Sequence, residues 1–145
     1  MIGLPDIRQK TDCDCGPSCV RAICRLWGDS PPKDLGYELL QTDDGTDLTA
    51  VESWLRRRGY CVLSGSMTVA DLRQQTSAGR PVLTPITDHG EGHYVVVLGV
   101  GRGVVTFHDP SAGRRKMRVA EWEPIWFGVA KSVRYDRWGV AIWRE

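Results

Sequence analysis

Cys15 combines a reactive side chain with the sequence features of a helix start. Asp14 precedes it, Gly16-Pro17-Ser18 follows it, and an apolar run compatible with a helix continues from there. An Asp before a Gly-Pro pair is typical of a helix N-terminus, where backbone N–H groups lack partners and the helix dipole is positive. These surroundings favour the thiolate, which is the nucleophilic form of a thiol. We therefore expect Cys15 to lie at the exposed start of a helix and to attack a carbonyl group.

Three further side chains could serve this nucleophile, which needs a base, a group that orients the base, and donors for the carbonyl oxygen. His93 opens the run Tyr94 to Val100, whose β-branched residues predict a buried strand. Asp109 ends the next predicted strand, so a tight hairpin would place it beside the His93 ring. Gln9 precedes Cys15 by six residues, and its amide could donate to the oxyanion together with the backbone N–H of Cys15.

The elements that must position these residues change along the chain from helices to strands. Apolar spacing, caps and turn residues predict helices over 18–27, 33–41, 46–58 and 69–75, a turn over 42–45 and a helical turn within 119–126. Runs of β-branched and aromatic residues predict strands over 60–63, 82–86, 94–100, 104–108, 117–119, 129–133 and 140–143. This order predicts an α+β fold in which N-terminal helices pack on a C-terminal antiparallel β-sheet.

Length and composition predict one globular domain over residues 1–145. The chain is 41% hydrophobic and 26% charged, and its net charge of +1 gives no basis for binding nucleic acid. The five cysteines are odd in number and four lie within 13–24, which favours free thiols in a reducing compartment. We find no signal-peptide pattern and no apolar run long enough to span a bilayer, so we expect a cytoplasmic protein without an intrinsic membrane segment.

A zinc site is the alternative interpretation of the histidines and clustered cysteines. His89 and His93 have a spacing that suits zinc on a helix, but the two glycines between them argue against a helix there. The three cysteines within 13–19 have a spacing that is unusual for structural zinc. We therefore expect no metal and no cofactor. Cys19 is interpreted as a core residue, and Cys13 is left without an assigned role.

Several sequence elements occur together in one order, and they resemble a known family. These elements are Gln9-x5-Cys15-Gly16-x-x-Cys19, His93-Tyr94-Val95-Val96 and Asp109-Pro110. Their spacing resembles that of the bacteriocin-processing, double-glycine-type cysteine peptidases. This papain-like family is often found at the N-terminus of peptide-exporting ABC transporters. The connecting segments Gly45-Thr46-x-Leu48 and Gly79-Arg80-Pro81-Val82 are also similar, and the resemblance covers roughly residues 7–133.

The resemblance implies a papain-like fold and a role for each candidate residue. Cys15 would be the nucleophile, His93 the general base and acid, Asp109 the orienting group and Gln9 an oxyanion donor. The family cleaves leader peptides after Gly-Gly or Gly-Ala, and it holds the amphipathic helical leader on a hydrophobic surface. A peptide substrate and an ABC exporter are therefore the expected partners. Two other functions would use the same residues, namely acyl transfer to an amine and leader-peptide binding without cleavage.

Overall fold

The computed structural model describes residues 1–11, 14–39, 46–130 and 132–145, which form helices and one large sheet. The helices of these residues are α1 Cys15–Leu26, α2 Leu35–Glu38, α3 Leu48–Arg57, α4 Val69–Ser77 and α5 Val119–Ile125. The strands are β1 Cys61–Ser66, β2 Val82–Asp88, β3 Glu91–Gly101, β4 Val104–Asp109, β5 Gly113–Arg118, β6 Phe127–Ala130, β7 Val133–Asp136 and β8 Trp138–Trp143. No helix within these ranges is long and apolar enough to cross a bilayer.

A six-stranded antiparallel sheet in the order β1-β8-β2-β3-β4-β5 forms the centre of the fold. The strands β6 and β7 form a separate two-stranded hairpin. The sheet brings the start of β3, where His93 lies, beside the end of β4, where Asp109 lies. The predicted α+β class, with helices packed on an antiparallel sheet, is confirmed.

The strand β3 is buried on both faces, which accounts for its continuous apolar sequence. Tyr94, Val96 and Leu98 pack in the core that also contains α1, whereas Val95 and Val97 pack in the core that contains Trp122 of α5. A strand covered on both faces carries apolar residues at every position, not at alternate ones. Helices on one face and a second layer on the other therefore hold β3, and with it His93, in a fixed place.

The helix α1 is attached to β3 along its apolar face. Cys19, Val20 and Ile23 are fully buried, as the sequence predicts for this face. The Cys19 thiol donates a hydrogen bond to the backbone carbonyl of Tyr94 at 3.4 Å, and burial raises the pKa of that thiol. Cys19 is therefore a core residue, and its contact sets the first turn of α1 against the start of β3.

Some elements differ from those predicted. The helix α1 begins at Cys15 itself, three residues before the predicted start, and α2 has four residues. The strand predicted over 129–133 is wrong, because the chain reverses there between β6 and β7 with Ser132 at a φ of 65°. Neither glycine nor proline marks this reversal. The turn predicted over 42–45 and the end of the helix predicted over 33–41 lie outside the described residues.

Asp29 connects the end of α1 with the end of α3 and with the C-terminal segment. Its carboxylate accepts hydrogen bonds from Arg58 at 2.7 and 2.9 Å, from the Tyr60 hydroxyl at 2.9 Å and from Arg144 at 3.5 Å. The Arg58 hydrogen bonds lower the pKa of Asp29 to about 2. Asp29 is thus a polar junction of three segments that are distant in sequence.

We expect Asp29→Asn to lower the free energy of unfolding at neutral pH by about 2 kcal/mol, because the amide cannot replace the charge-assisted bonds. The pKa of Asp29 lies below its unfolded value of about 3.9. The stabilisation is therefore present above about pH 4 and is lost as the pH falls towards the folded value. Urea denaturation of both proteins at a series of pH values measures this. Equal stabilities at pH 7, or a difference that does not shrink in acid, would contradict the assignment.

Candidate active site

Cys15 is the first residue of α1 and is buried, with an exposed fraction of 6%. The expectation of an exposed thiol is therefore wrong. The side chain packs in the core that contains Tyr94, and the adjacent Gly16 lies against Thr46. A Cβ added at Gly16 would lie 2.7 Å from the Cβ of Thr46, so a larger residue does not fit without movement. The thiol is thus buried in a core shared with β3, and the segment before α3 covers the neighbouring Gly16, neither of which a sequence pattern local to α1 could show.

Asp14 precedes α1 but does not cap it with its side chain. Its carboxylate accepts hydrogen bonds from the backbone N–H groups of Lys10 at 3.0 Å and Thr11 at 2.9 Å. No side-chain hydrogen bond from this N-cap residue reaches the first turn of the helix. The carboxylate instead orders the segment that follows Gln9, and it leaves the first N–H groups of α1 available to a negatively charged oxygen near Cys15.

His93 and Asp109 lie in direct contact at neighbouring strand ends. The Nε2 atom of His93 is 2.7 Å from Oδ1 of Asp109, and the two side chains are 16% and 3% exposed. The Cys15 thiol lies near enough to the ring to raise the pKa of His93. Since Nε2 faces Asp109, Nδ1 is the ring nitrogen that remains for the thiol. The structure thus places the His93 imidazole against the Asp109 carboxylate, as the hairpin argument predicts, and near the Cys15 thiol.

The surroundings of His93 and Asp109 favour the charged form of each. Burial alone would lower the pKa of His93, but the hydrogen bond with Asp109 and the nearby Cys15 outweigh it and raise the pKa to about 9. Burial alone would raise the pKa of Asp109, but hydrogen bonds from His93, Ser111 and Arg115 hold it well below its usual range. The carboxylate is therefore ionised at neutral pH, and the imidazolium form of His93 is favoured.

Two partners of Asp109 were not found from the sequence. The backbone N–H and the hydroxyl of Ser111 donate to Oδ1 at 2.8 and 2.6 Å, and Nη1 of Arg115 donates to Oδ2 at 2.7 Å. In turns that begin with Asp, the carboxylate commonly accepts a hydrogen bond from the N–H two residues later. The order Asp109-Pro110-Ser111 could therefore have predicted the contact with the Ser111 N–H. No comparable signal marks Arg115, because its position depends on how β4 pairs with β5.

Gln9 lies beside the turn that follows Asp109. Its backbone N–H donates to the carbonyl of Pro110 at 2.8 Å, and its side-chain Nε2 donates to the carbonyl of Thr11 at 2.8 Å. Among the described residues, its Oε1 is buried without a hydrogen-bond partner. One N–H of the amide is thereby engaged, and the second remains able to donate elsewhere. The backbone contact joins the segment before α1 to the end of β4.

The other histidines lie apart from this arrangement. His89 occupies the turn between β2 and β3, where its side chain is 93% exposed and its Nε2 is 3.6 Å from Asp88. His108 is buried and contacts the backbone carbonyl of Ile7 at 3.0 Å, which anchors the N-terminal segment. Within the described ranges, no three His, Cys, Asp or Glu side chains are grouped so that they could hold a metal ion. Cys13 lies outside those ranges.

A thiol, an imidazole and a carboxylate in this order can carry out nucleophilic acyl chemistry. The imidazole can hold the thiol proton and later deliver it to a leaving group, while the carboxylate keeps the ring oriented and stabilises its charge. The N–H groups at the start of α1 can bind the oxyanion that forms. The arrangement therefore suits attack on a carbonyl carbon.

Comparison with curated proteins finds relatives that are named for processing and for secretion or transport. The chain is 27% identical over 134 residues to the colicin V secretion/processing ATP-binding protein CvaB of Escherichia coli. It is 23% identical over 128 residues to the lactococcin-G-processing and transport ATP-binding protein LagD of Lactococcus lactis. These matches cover 90% and 85% of this chain but 18% of each relative. The chain therefore spans less than a fifth of the length of these two relatives.

Comparison with solved structures confirms the papain-like α+β fold. The peptidase domain of Streptococcus ComA, a bi-functional ABC transporter, matches with a TM-score of 0.75 and 17% identity, covering 96% of this chain and 97% of that one. A double glycine motif protease from an AMS/PCAT transporter, solved in complex with the leader peptide, matches with a TM-score of 0.72 and 14% identity, covering 97% and 91%. Both alignments include nearly all of this chain.

The family model agrees with these similarities. The model of the Peptidase C39 family matches residues 4–135, a range that contains Gln9, Cys15, His93 and Asp109. The match extends over most of the 145 residues. The chain therefore belongs to the Peptidase C39 family.

Proposed function

We propose that this protein is a cysteine endopeptidase that cleaves a peptide bond after small residues. The observation that carries the proposal is the 2.7 Å contact between His93 and the buried carboxylate of Asp109, with Cys15 near enough to raise the pKa of the same ring. Membership of a cysteine-peptidase family supports the same reaction. In this proposal Cys15 is the nucleophile, His93 the general acid and base, and Asp109 the group that orients His93.

The reaction begins with the Cys15 thiolate beside the His93 imidazolium. The sulfur bonds to the carbonyl carbon, and the backbone N–H of Cys15 and the free N–H of the Gln9 amide stabilise the oxyanion. As the C–N bond breaks, His93 gives its proton to the leaving amine and a thioester remains on Cys15. Neutral His93 then takes a proton from water, which attacks the thioester. The C–S bond breaks, and the acid product and the thiolate–imidazolium pair are formed.

The proposed substrate is a leader peptide that ends in Gly-Gly or Gly-Ala. Two findings on similar proteins support this choice. The AMS/PCAT double glycine motif protease was solved with a leader peptide, and CvaB and LagD are named as processing and transport proteins. By the same argument, we propose that the natural partner is an ABC exporter that moves the processed peptide.

The proposal is tested with synthetic leaders that carry Gly-Gly, Gly-Ala or Val-Val before the cleavage site. We expect mass spectrometry to show one cut after Gly-Gly or Gly-Ala and none after Val-Val. Tight binding of the Gly-Gly leader without any cleavage would replace the proposal by a leader-binding function. If products form only with an added amine and carry its mass, the protein would be an acyltransferase that uses the same residues.

The raised pKa of His93 predicts the alkaline limit of activity. The imidazolium donates the proton to the leaving amine, so we expect kcat/KM to fall as the pH rises through about 9. Stability should change in the same direction as activity. A raised histidine pKa stabilises the folded state at low pH, and this contribution is lost as the pH rises through the pKa of the folded state. A pH profile of leader cleavage measures the limit. A limit at the ordinary histidine value of 6.5 would contradict the assignment of His93.

A further inference from the structure

Arg115 contacts Asp109 on the carboxylate oxygen that His93 does not use. Three hydrogen bonds reach Oδ1, from His93 and from the backbone and hydroxyl of Ser111. The described contact to Oδ2 comes from Nη1 of Arg115 at 2.7 Å. The Asp109 side chain is 3% exposed, so water has little access to this oxygen. Arg115 is therefore the main partner of one half of the buried carboxylate.

The position of Arg115 is itself determined by three strands. On β5 it lies opposite Phe107 of β4, and its guanidinium lies over the Phe107 ring at 5.2 Å from the centroid. Its Nη1 also donates to Oδ2 of Asp88, at the end of β2, at 3.1 Å. Asp88 pairs with Glu91 in the β2–β3 hairpin, two residues before His93. Arg115 thus joins the end of β2 to the end of β4 around the histidine.

We propose that Arg115 is a positioning residue of this active site, which binds Oδ2 of Asp109 so that Oδ1 faces His93 and which offsets part of the carboxylate charge. This inference rests on the proposed function, because it assigns Arg115 a part in the reaction of Cys15. Arg115 itself touches neither the thiol nor, in the mechanism above, the substrate.

The geometric part of the proposal follows from the number of donors on each oxygen. Without Arg115, Oδ2 of Asp109 would be a buried charged oxygen without a partner, which is costly. Rotation of the carboxylate would then be favourable, because it would let Ser111 or His93 donate a hydrogen bond to Oδ2. Such a rotation keeps the two charges adjacent but changes the direction of the contact with Nε2 of His93, now 2.7 Å from Oδ1, and so turns the ring relative to Cys15. Small misplacements of an orienting group are enough to reduce the rate of the chemical step.

The effect of the Arg115 charge on the pKa of His93 has a defined direction. A cation next to Asp109 weakens the attraction between that carboxylate and the His93 imidazolium, so its removal should raise the pKa of His93 further. Other charged or titratable groups lie near this pair on every neighbouring segment. They are Cys15 and Cys19 of α1, Asp88 of β2, and Arg8 of the N-terminal segment, which packs on Gly113. Arg115 differs from Arg8 in that it bonds Asp109 directly.

The experiment compares four variants in the full chain, namely Arg115→Gln, Arg115→Lys, Asp88→Asn and Arg114→Gln. Arg115→Gln removes the charge, and Arg115→Lys keeps a donor that can reach both carboxylates. Arg114→Gln is the matched control, because Arg114 is the exposed neighbour on the same strand. Thermal unfolding verifies that each variant is folded. The readouts are kcat and KM for the Gly-Gly leader, the NMR titration of the His93 ring, and the rate of Cys15 alkylation by iodoacetamide.

We expect Arg115→Gln to lower kcat at neutral pH about tenfold with KM nearly unchanged, because the substrate contacts are kept. The pKa of His93 should rise by about one unit. Arg115→Lys should restore most of kcat and a titration close to that of the wild type. Asp88→Asn should lower the pKa of His93, and by a smaller amount, because it removes a negative charge that partly offsets Arg115. Arg114→Gln should behave as the wild type in all readouts.

A merely structural Arg115 would give a different pattern. An unchanged His93 titration in folded Arg115→Gln, or shifts of the same sign in Arg115→Gln and Asp88→Asn, would overturn the inference. The titration and the alkylation need no substrate, so they separate this inference from the proposed function. If the wild type cleaved no leader while Arg115→Gln still shifted His93 upward, the proposed peptidase function would fail and the effect of Arg115 on His93 would stand.

Discussion

Replacing Cys15 by alanine is expected to reduce leader cleavage by at least about a thousandfold, because the residual rate would come from binding and oxyanion stabilisation alone. The change removes the sulfur that lies near His93 and that raises its pKa. Alanine is smaller than cysteine and helix-compatible, so α1 should keep its fold. The rate is measured by following product peptides by mass spectrometry over long incubations with high enzyme concentration.

Cys61→Ala is the matched control for this variant. Cys61 lies on β1, is partly exposed and is a free thiol like Cys15. Its loss should leave both cleavage and inhibitor labelling intact. The assignment of Cys15 would be wrong if Cys15→Ala kept its activity while a thiol-directed inhibitor labelled Cys13 or Cys19 instead.

His93→Ala should reduce cleavage by about a thousandfold or more, since the proton of the thiol and that of the leaving amine would lose their carrier. Asp109 would keep Ser111 and Arg115 as partners, so its carboxylate would remain hydrogen-bonded. We therefore expect a folded protein without activity. Steady-state kinetics and circular dichroism distinguish this outcome from unfolding.

His89→Ala provides the control for this second variant. His89 lies four residues earlier in the same hairpin, but its side chain is 93% exposed and has no contact with Asp109 in the structure. Its replacement should change kcat less than twofold, which is about the size of an ordinary surface effect. Equal losses in the two histidine variants would contradict the roles assigned here and would favour a function that both histidines share.

The sequence predicts those parts of the site that lie on elements adjacent to one another along the chain. The β-branched run after His93 and the turn at Gly101-Arg102-Gly103 indicate a hairpin, and a hairpin brings its outer ends together. Asp109 therefore had to lie near His93 once the hairpin was recognised. The Asp-Cys-Gly-Pro order likewise predicts a helix N-terminus close to Cys15, although the predicted helix over 18–27 begins three residues too late. Each of these inferences uses a local pattern, and for that reason they agree with the structure.

Features that depend on distant segments could not be predicted in this way. Cys15 is buried in a core that contains Tyr94 of β3, and the position of Arg115 depends on the pairing of β4 with β5. The final strand β8 lies between β1 and β2, which no local pattern indicates. The reversal at Ser132 was missed because a residue other than glycine adopts the positive φ there.

The central claim is that the Cys15 thiol becomes bonded to the substrate carbonyl with help from His93. The most direct measurement uses a leader peptide whose C-terminal Gly-Gly carboxyl is replaced by a vinyl sulfone, a group that a positioned thiolate attacks. Peptide mapping after reaction shows which residue carries the adduct. We predict one adduct per chain, located on Cys15, and much slower reaction in His93→Ala. An adduct on Cys13, Cys61 or another side chain, with Cys15 unmodified, would contradict the account.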